Sequence, residues 1–335
     1  MDKARDEIII YYCDFTESDT YRTLLEERFR QTGHDRQLVF KDWYCYKELP
    51  GKDGDLYVYD GVVMPSLAAK GFFRALPGSA SAGDVFSWVT DKSRLLHKVY
   101  GLPIMLCSSA LICRKKDDLH IRNIMELNEK VAIPMRSMLL YYFIQSLCTT
   151  LNIHKSLKVM EHLVELIGGR DCLADSCFSD YDGINRFNSG ECRYFLGFTE
   201  SLQYLDKDEY VVSFANFSDK QANRRPLFMS DFVSIGAQVP EEKLEDCLDL
   251  IGIMTDERFI YDVCMADGSL RYLLPANRRV YPLLAESDSL YWYLFGLLES
   301  GENGLLLYGT RYYEDFAMHR DMLLQFLWEK AGWKL

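Results

Sequence analysis

Four polar residues stand at the ends of, or within, strongly apolar or aromatic segments, and such positions suit side chains that do chemistry. Cys107 closes the run Pro103-Ile-Met-Leu-Cys107 and is followed abruptly by Ser108 and Ser109. A thiolate there is a candidate nucleophile, although free cysteine is commonly a small buried hydrophobe. Asp60 closes the apolar stretch Leu56 to Tyr59, Glu200 follows Arg193 to Phe198, and Asp231 lies within Leu227 to Ile235. Carboxylates in such company are seldom buried without a partner. They serve as proton acceptors or as hydrogen-bond acceptors for an amine or cationic ligand. Each also has an ordinary structural explanation: a helix cap for Asp60, a surface turn for Glu200, an ion pair for Asp231. The aromatic residues Trp43, Tyr44, Tyr46, Tyr57 and Tyr59 offer faces for a flat heterocycle, or simply pack a core.

Other chemistries lack their signatures. No G-x-x-x-x-G-K-[ST], no G-x-G-x-x-G after a strand, and no G-x-S-x-G occurs, which sets aside P-loop, Rossmann and nucleophile-elbow enzymes. The six histidines form no H-E-x-x-H, and Cys172 and Cys177 have no second pair to complete a zinc site. A thiol hydrolase pairing Cys107 with His97 or His120 rests on residue types alone. Acidic residues outnumber basic ones 50 to 38, and the net charge of -12 repels phosphate backbones, so nucleic acid is not an expected partner. Ten cysteines in 335 residues are too sparse for a disulfide framework and point to a reducing compartment. The apolar run from Ile8 to Tyr12 is too short for a leader's hydrophobic region or a membrane span. The chain as it stands therefore reads as cytoplasmic and free of membrane, or as secreted if a leader has been cut away.

The elements that position these residues follow from periodicity. Glu7 to Tyr12 reads as a strand, and Tyr21, Leu24, Leu25 and Phe29 recur at helical spacing up to Gly33. Gln37 to Phe40 and Leu56 to Tyr59 continue a strand-helix-strand α/β lobe, and Val63 to Phe72 reads as a helix. Tyr100 to Arg114 reads as one buried extended crossing. Leu139 to Leu151 and His154 to Ile167 follow as helices, Arg193 to Phe198 and Tyr210 to Phe214 as strands, and Phe228 to Ile235 as a second crossing. From Glu241 onward the pattern is mainly helical, including Leu290 to Leu298 and Met322 to Leu327. The expected organisation is residues 1–112 as the first part of lobe 1, 113–232 as an inserted lobe 2, and 233–335 as a return to lobe 1.

Taken together, these blocks resemble the thiaminase I (thiamine pyridinylase) family. The resemblance rests on Phe40-Lys-Asp-Trp-Tyr-Cys-Tyr46, Asp55-Leu-Tyr-Val-Tyr-Asp60, Tyr100-Gly-Leu-Pro-Ile-Met-Leu-Cys-Ser-Ser109, Tyr194-Phe-Leu-Gly-Phe-Thr-Glu-Ser201, Pro226-Leu-Phe-Met-Ser-Asp-Phe-Val-Ser234, Tyr272-Leu-Leu-Pro-Ala276 and Val280-Tyr281. It implies an α/β, two-lobed type II periplasmic-binding-protein-like fold with a central cleft and two interlobe crossings. It further implies Cys107 as nucleophile, Glu200 as its base, and Asp60 and Asp231 as the carboxylates that hold an aminopyrimidine. Tyr46 and Tyr181 match pocket tyrosines, and Trp43, Tyr12, Phe198 and Met229 complete the expected substrate contacts. Phe198 and Met229 stand where the family commonly has tyrosines, so two phenols are missing. The implied reaction replaces the thiazole of thiamine, or of a related aminopyrimidine, by an amine, thiol or water. It needs a small-molecule substrate and a small nucleophile, no metal or organic cofactor, and is expected of a monomer. The alternative is a solute-binding module of the same fold that captures a heterocycle without chemistry.

Overall fold

The computed structural model describes residues 7–13, 18–77, 83–92, 94–95, 97–117, 123–134, 138–168, 182–205, 210–218, 225–300 and 303–331. The chain begins with β1 (Glu7–Tyr12), α1 (Ser18–Gln31), β2 (Gln37–Asp42), β3 (Leu56–Asp60), α2 (Met64–Ala69) and α3 (Ser87–Lys92). It continues through β4 (Arg94–Leu95), β5 (Lys98–Val99), β6 (Leu102–Cys107), β7 (Ala110–Arg114), β8 (Val131–Ala132), α4 (Met138–Thr150), α5 (Ile153–Leu166) and α6 (Asp182–Asn188). Next come β9 (Tyr194–Gly197), β10 (Tyr210–Phe214), β11 (Leu227–Ile235), α7 (Glu241–Thr255) and α8 (Glu257–Cys264). The last elements are β12 (Leu274–Pro275), α9 (Val280–Ala285), α10 (Leu290–Glu299), β13 (Gly304–Leu305) and α11 (Tyr312–Ala331).

These elements group into two compact units. The first comprises Met1–Leu106, Met229–Gly301 and Leu305–Tyr313, and the second comprises Cys107–Phe228, Glu302–Gly304 and Glu314–Leu335. The first is built on a sheet ordered β12-β6-β11-β3-β1-β2, with β13 pairing to β11. Its β1, β2 and β3 run parallel, whereas β11 runs antiparallel to β3. All five residues of β3 are buried, as expected of a central strand covered on both faces. Helix α1 packs against α7 and α8.

The second unit is built on a sheet ordered β10-β7-β9-β8. Leu111, Cys113, Tyr194 and Leu196 of this sheet share a core with Tyr142, Phe143 and Leu147 of α4 and with Val159, Met160 and Leu163 of α5. Leu323 and Leu327 of α11 join that core, so the last helix belongs to the second unit.

Two elements differ from the sequence expectation. The stretch from Tyr100 to Arg114 is not one strand. It divides into β6 and β7, which lie in different sheets, and Ser108 and Ser109 at the break donate their hydroxyls to Leu227 O and Gln145 Oε1. The helix expected over Val63 to Phe72 is shorter. A 3-10 turn at Gly61–Val63 precedes α2, and Gly71, at φ +74°, ends it in the left-handed region. Among the described residues no helix is long and apolar enough to cross a membrane.

Candidate functional site

In the first unit the parallel strands deliver their carboxyl ends side by side, which is where open α/β sheets hold ligands. Tyr12 ends β1, Asp60 ends β3, and Trp43 to Tyr46 follow the end of β2. In the β3–β11 ladder Asp231 is the direct partner of Asp60. Cross-strand partners share a face of the sheet, and like charges placed so are unfavourable without a compensating group. A pair of carboxylates held in register is thus suited to a cation, an amine or a shared proton.

Asp60 is only 4% exposed, and both of its oxygens are engaged. One accepts the Val62 N–H at 2.8 Å and caps the 3-10 turn; the other accepts the Tyr46 hydroxyl at 2.6 Å. The structural explanation for Asp60 therefore holds, and recognition of a ligand would use the remaining lone pairs of oxygens already held in place. Burial pushes its carboxyl up to about 6, and the Tyr46 and Val62 donors restrain the rise. Gly61 follows because a Cβ there would come within 2.7 Å of the Phe232 ring.

Trp43 and Tyr12 are buried framework. The Trp43 indole N–H donates to Glu48 O at 2.8 Å, and its ring meets Tyr57 edge-on at 6.5 Å. Those contacts fix the turn that carries Tyr46. The Tyr12 ring packs against Tyr21 and Phe40, with the Arg22 guanidinium 4.5 Å from its centroid. Met229 is buried within β11, in the same strand as Asp231.

In the second unit, one end of the sheet gathers the other candidates. The β7–β9 ladder terminates at Ala110 paired with Gly197. Cys107 lies three residues before Ala110, and Glu200 lies three residues after Gly197, so in this antiparallel pair both segments leave the sheet at the same end. Cys107 is partly exposed, and the residues behind it are locked. Ser108 Oγ donates to Leu227 O at 3.0 Å, Ser109 Oγ donates to Gln145 Oε1 at 2.6 Å, and Gln145 Nε2 donates to Leu227 O at 3.2 Å.

Glu200 sits in the 3-10 turn Thr199–Tyr204 directly after β9 and is partly exposed as a residue. Its carboxyl is pushed by burial up to about 7, opposed by its own backbone N–H and the Thr199 hydroxyl, which donates at 3.2 Å. A carboxyl near neutrality is matched to taking and returning a proton. Phe198 immediately precedes this turn, and its ring meets Tyr141 edge-on at 4.9 Å.

Tyr141, on α4, was not singled out by sequence reasoning, yet its hydroxyl lies 3.8 Å from Cys107 Sγ. Within an apolar helical pattern it reads as core, and only tertiary packing brings it to the cysteine. Tyr181, His120, Cys172 and Cys177 lie outside the described residues. Among the described residues no group of three His, Cys, Asp or Glu side chains forms a metal cluster.

This architecture is the type II binding-protein-like fold. Maltose-bound MalE3 of T. maritima shares it with a TM-score of 0.64 at 13% identity, over 94% of this chain and 93% of that one. No family model matches the chain. Thiaminase I is nearer in both sequence and structure. Thiaminase-1 of Paenibacillus thiaminolyticus is 26% identical over 321 residues, spanning 82% of this chain and 76% of that protein. Clostridium botulinum thiaminase I in complex with thiamin superposes with a TM-score of 0.83 at 19% identity, covering 96% of this chain and 99% of that one. The chain is thus similar to thiaminase I over most of its length, as its ordered sequence blocks imply.

Proposed function

We propose that this chain is a thiamine-degrading transferase of the thiaminase I type, with Cys107 as nucleophile and Glu200 as its proton acceptor. The observation that supports the reading is that the segments carrying these two residues leave the β7–β9 ladder at the same end, joined to the similarity with thiaminase I. The Cys107 sulfur adds to the electron-poor pyrimidine carbon next to the one bearing the methylene bridge, and its proton passes to Glu200. The ring takes up an electron pair and then expels the thiazole, whose nitrogen keeps the bonding pair and leaves neutral. A nucleophile adds to the exocyclic carbon and loses its proton to solvent, the C–S bond breaks with its electrons returning to sulfur, and Glu200 gives its proton back to that sulfur. The difficult displacement becomes two easier steps.

The electrostatics support a resting neutral thiol. A carboxylate beside a thiol opposes its ionisation, so charge is better moved than created. A Glu200 carboxyl raised to about 7 is basic enough to take the proton as the C–S bond forms. Asp60, restrained by Tyr46, and its ladder partner Asp231 are assigned to the exocyclic amine and a ring nitrogen of the aminopyrimidine.

Maltose-bound MalE3 has this fold, which favours capture without chemistry as the second reading. Incubation with thiamine and aniline separates the two. Free thiazole and the aniline-exchanged pyrimidine are expected; thiamine that binds and is recovered intact establishes the binding module instead.

A further inference from the structure

Helix α4 reaches the Cys107 end of the second unit's sheet through three side chains. The Tyr142 hydroxyl donates to Leu196 O of β9 at 2.8 Å, and Gln145 holds both Ser109 and Leu227 O. Tyr141 stands one residue before Tyr142 and one helical turn before Gln145, so its place relative to the cysteine is set by two anchored neighbours. Its ring is held edge-on by Phe198, two residues before Glu200, at an interplanar angle of 89°. Its hydroxyl points a donor at Cys107 Sγ across 3.8 Å.

We propose that Tyr141 is a further catalytic residue, whose phenol donates a hydrogen bond to the Cys107 sulfur and stabilises the thiolate character that develops during attack. This rests on the reading of Cys107 as nucleophile. A hydroxyl donor gains strength when its acceptor becomes charged, so the contact favours the reacting state over the resting thiol. The bookkeeping is simple: the sulfur proton goes to Glu200, the sulfur pair forms the C–S bond, and the Tyr141 proton stays on its oxygen throughout. When the thiazole has been replaced and the C–S bond breaks, the same donor receives the departing sulfur. Glu200 is thereby relieved of stabilising the sulfur and is left to carry the proton. Distances of this kind shorten when substrate is bound.

The test is Tyr141→Phe, which keeps the ring against Phe198 and removes only the donor. Alkylation of Cys107 by iodoacetamide, followed on its own peptide through the neutral to alkaline range, is expected to slow about three- to tenfold near neutrality. Turnover of thiamine with aniline should fall by a similar factor with KM little changed. Should that variant fail to fold, Phe198→Leu loosens the ring while keeping the phenol, and slower alkylation is again expected. Unchanged alkylation of Cys107 in the folded variant overturns the proposal. Slower alkylation in a protein that never cleaves thiamine leaves the hydrogen bond standing and overturns instead the catalytic role built on it.

Discussion

Asp60 in the first unit and Glu200 in the second are both carboxylates raised by burial, yet their surroundings prepare them for different work. Asp60 has each oxygen committed, to Tyr46 and to the Val62 N–H, and settles near 6. Among the described residues Glu200 is supported by the Thr199 hydroxyl and its own backbone N–H, and it settles near 7. A carboxyl held by two short hydrogen bonds is suited to orienting a ligand. One with weaker support near neutrality is a proton carrier. The contrast teaches that burial alone does not separate binding from catalysis; how closely donors hold the oxygens does.

The largest effect that sharpens this contrast is expected from Glu200→Gln, which keeps shape and removes basicity. Turnover should fall by about 10²- to 10⁴-fold with substrate affinity much less altered. In the unaltered protein turnover should decline as pH drops through about 7, because the protonated carboxyl no longer accepts the thiol proton, and the variant should lose that acid limb. Stability carries the same signature. The folded carboxyl is raised from 4.5 to about 7, so the folded state holds more protons across that interval and stability falls as pH rises through it. Chemical denaturation of the two proteins across that range should show a shallower slope for Glu200→Gln. Loss of substrate affinity with retained basic-limb turnover would make Glu200 a binding group and erase the contrast.

A smaller effect is expected at the other carboxylate. Tyr46→Phe removes one of the donors that restrain Asp60, so its carboxyl moves further up from about 6 and is more often protonated at neutral pH. KM for thiamine should rise about three- to tenfold with kcat nearly constant, measured by steady-state kinetics near neutrality. A fall in kcat at constant KM would place Asp60 in the chemistry and not in recognition.

Much of this was legible before any coordinates. The strands ending at Tyr12 and Asp60 and the strand through Asp231 are apolar runs bounded by polar residues, and such runs announce themselves. That Asp60 and Asp231 face one another was not, because register between strands so distant in sequence is a long-range property. The division of Tyr100 to Arg114 into two strands was hidden for a related reason: its apolar residues look alike whichever sheet they join. Tyr141 was concealed most completely. Inside Leu139 to Leu151 it occupies one position of a helical pattern, and only the anchoring of Tyr142 and Gln145 turns it toward Cys107. Met322 to Leu327 reads as helical, but which core receives Leu323 and Leu327 is settled by packing.

Intact-mass spectrometry of the protein after exposure to thiamine, followed by peptide mapping, tests the central assignment most directly. The account predicts a mass gain of a single aminopyrimidine-methylene unit, located on the peptide that contains Cys107 and abolished by Cys107→Ser. Rapid cleavage of thiamine by Cys107→Ser, or an adduct on any other residue, would contradict it.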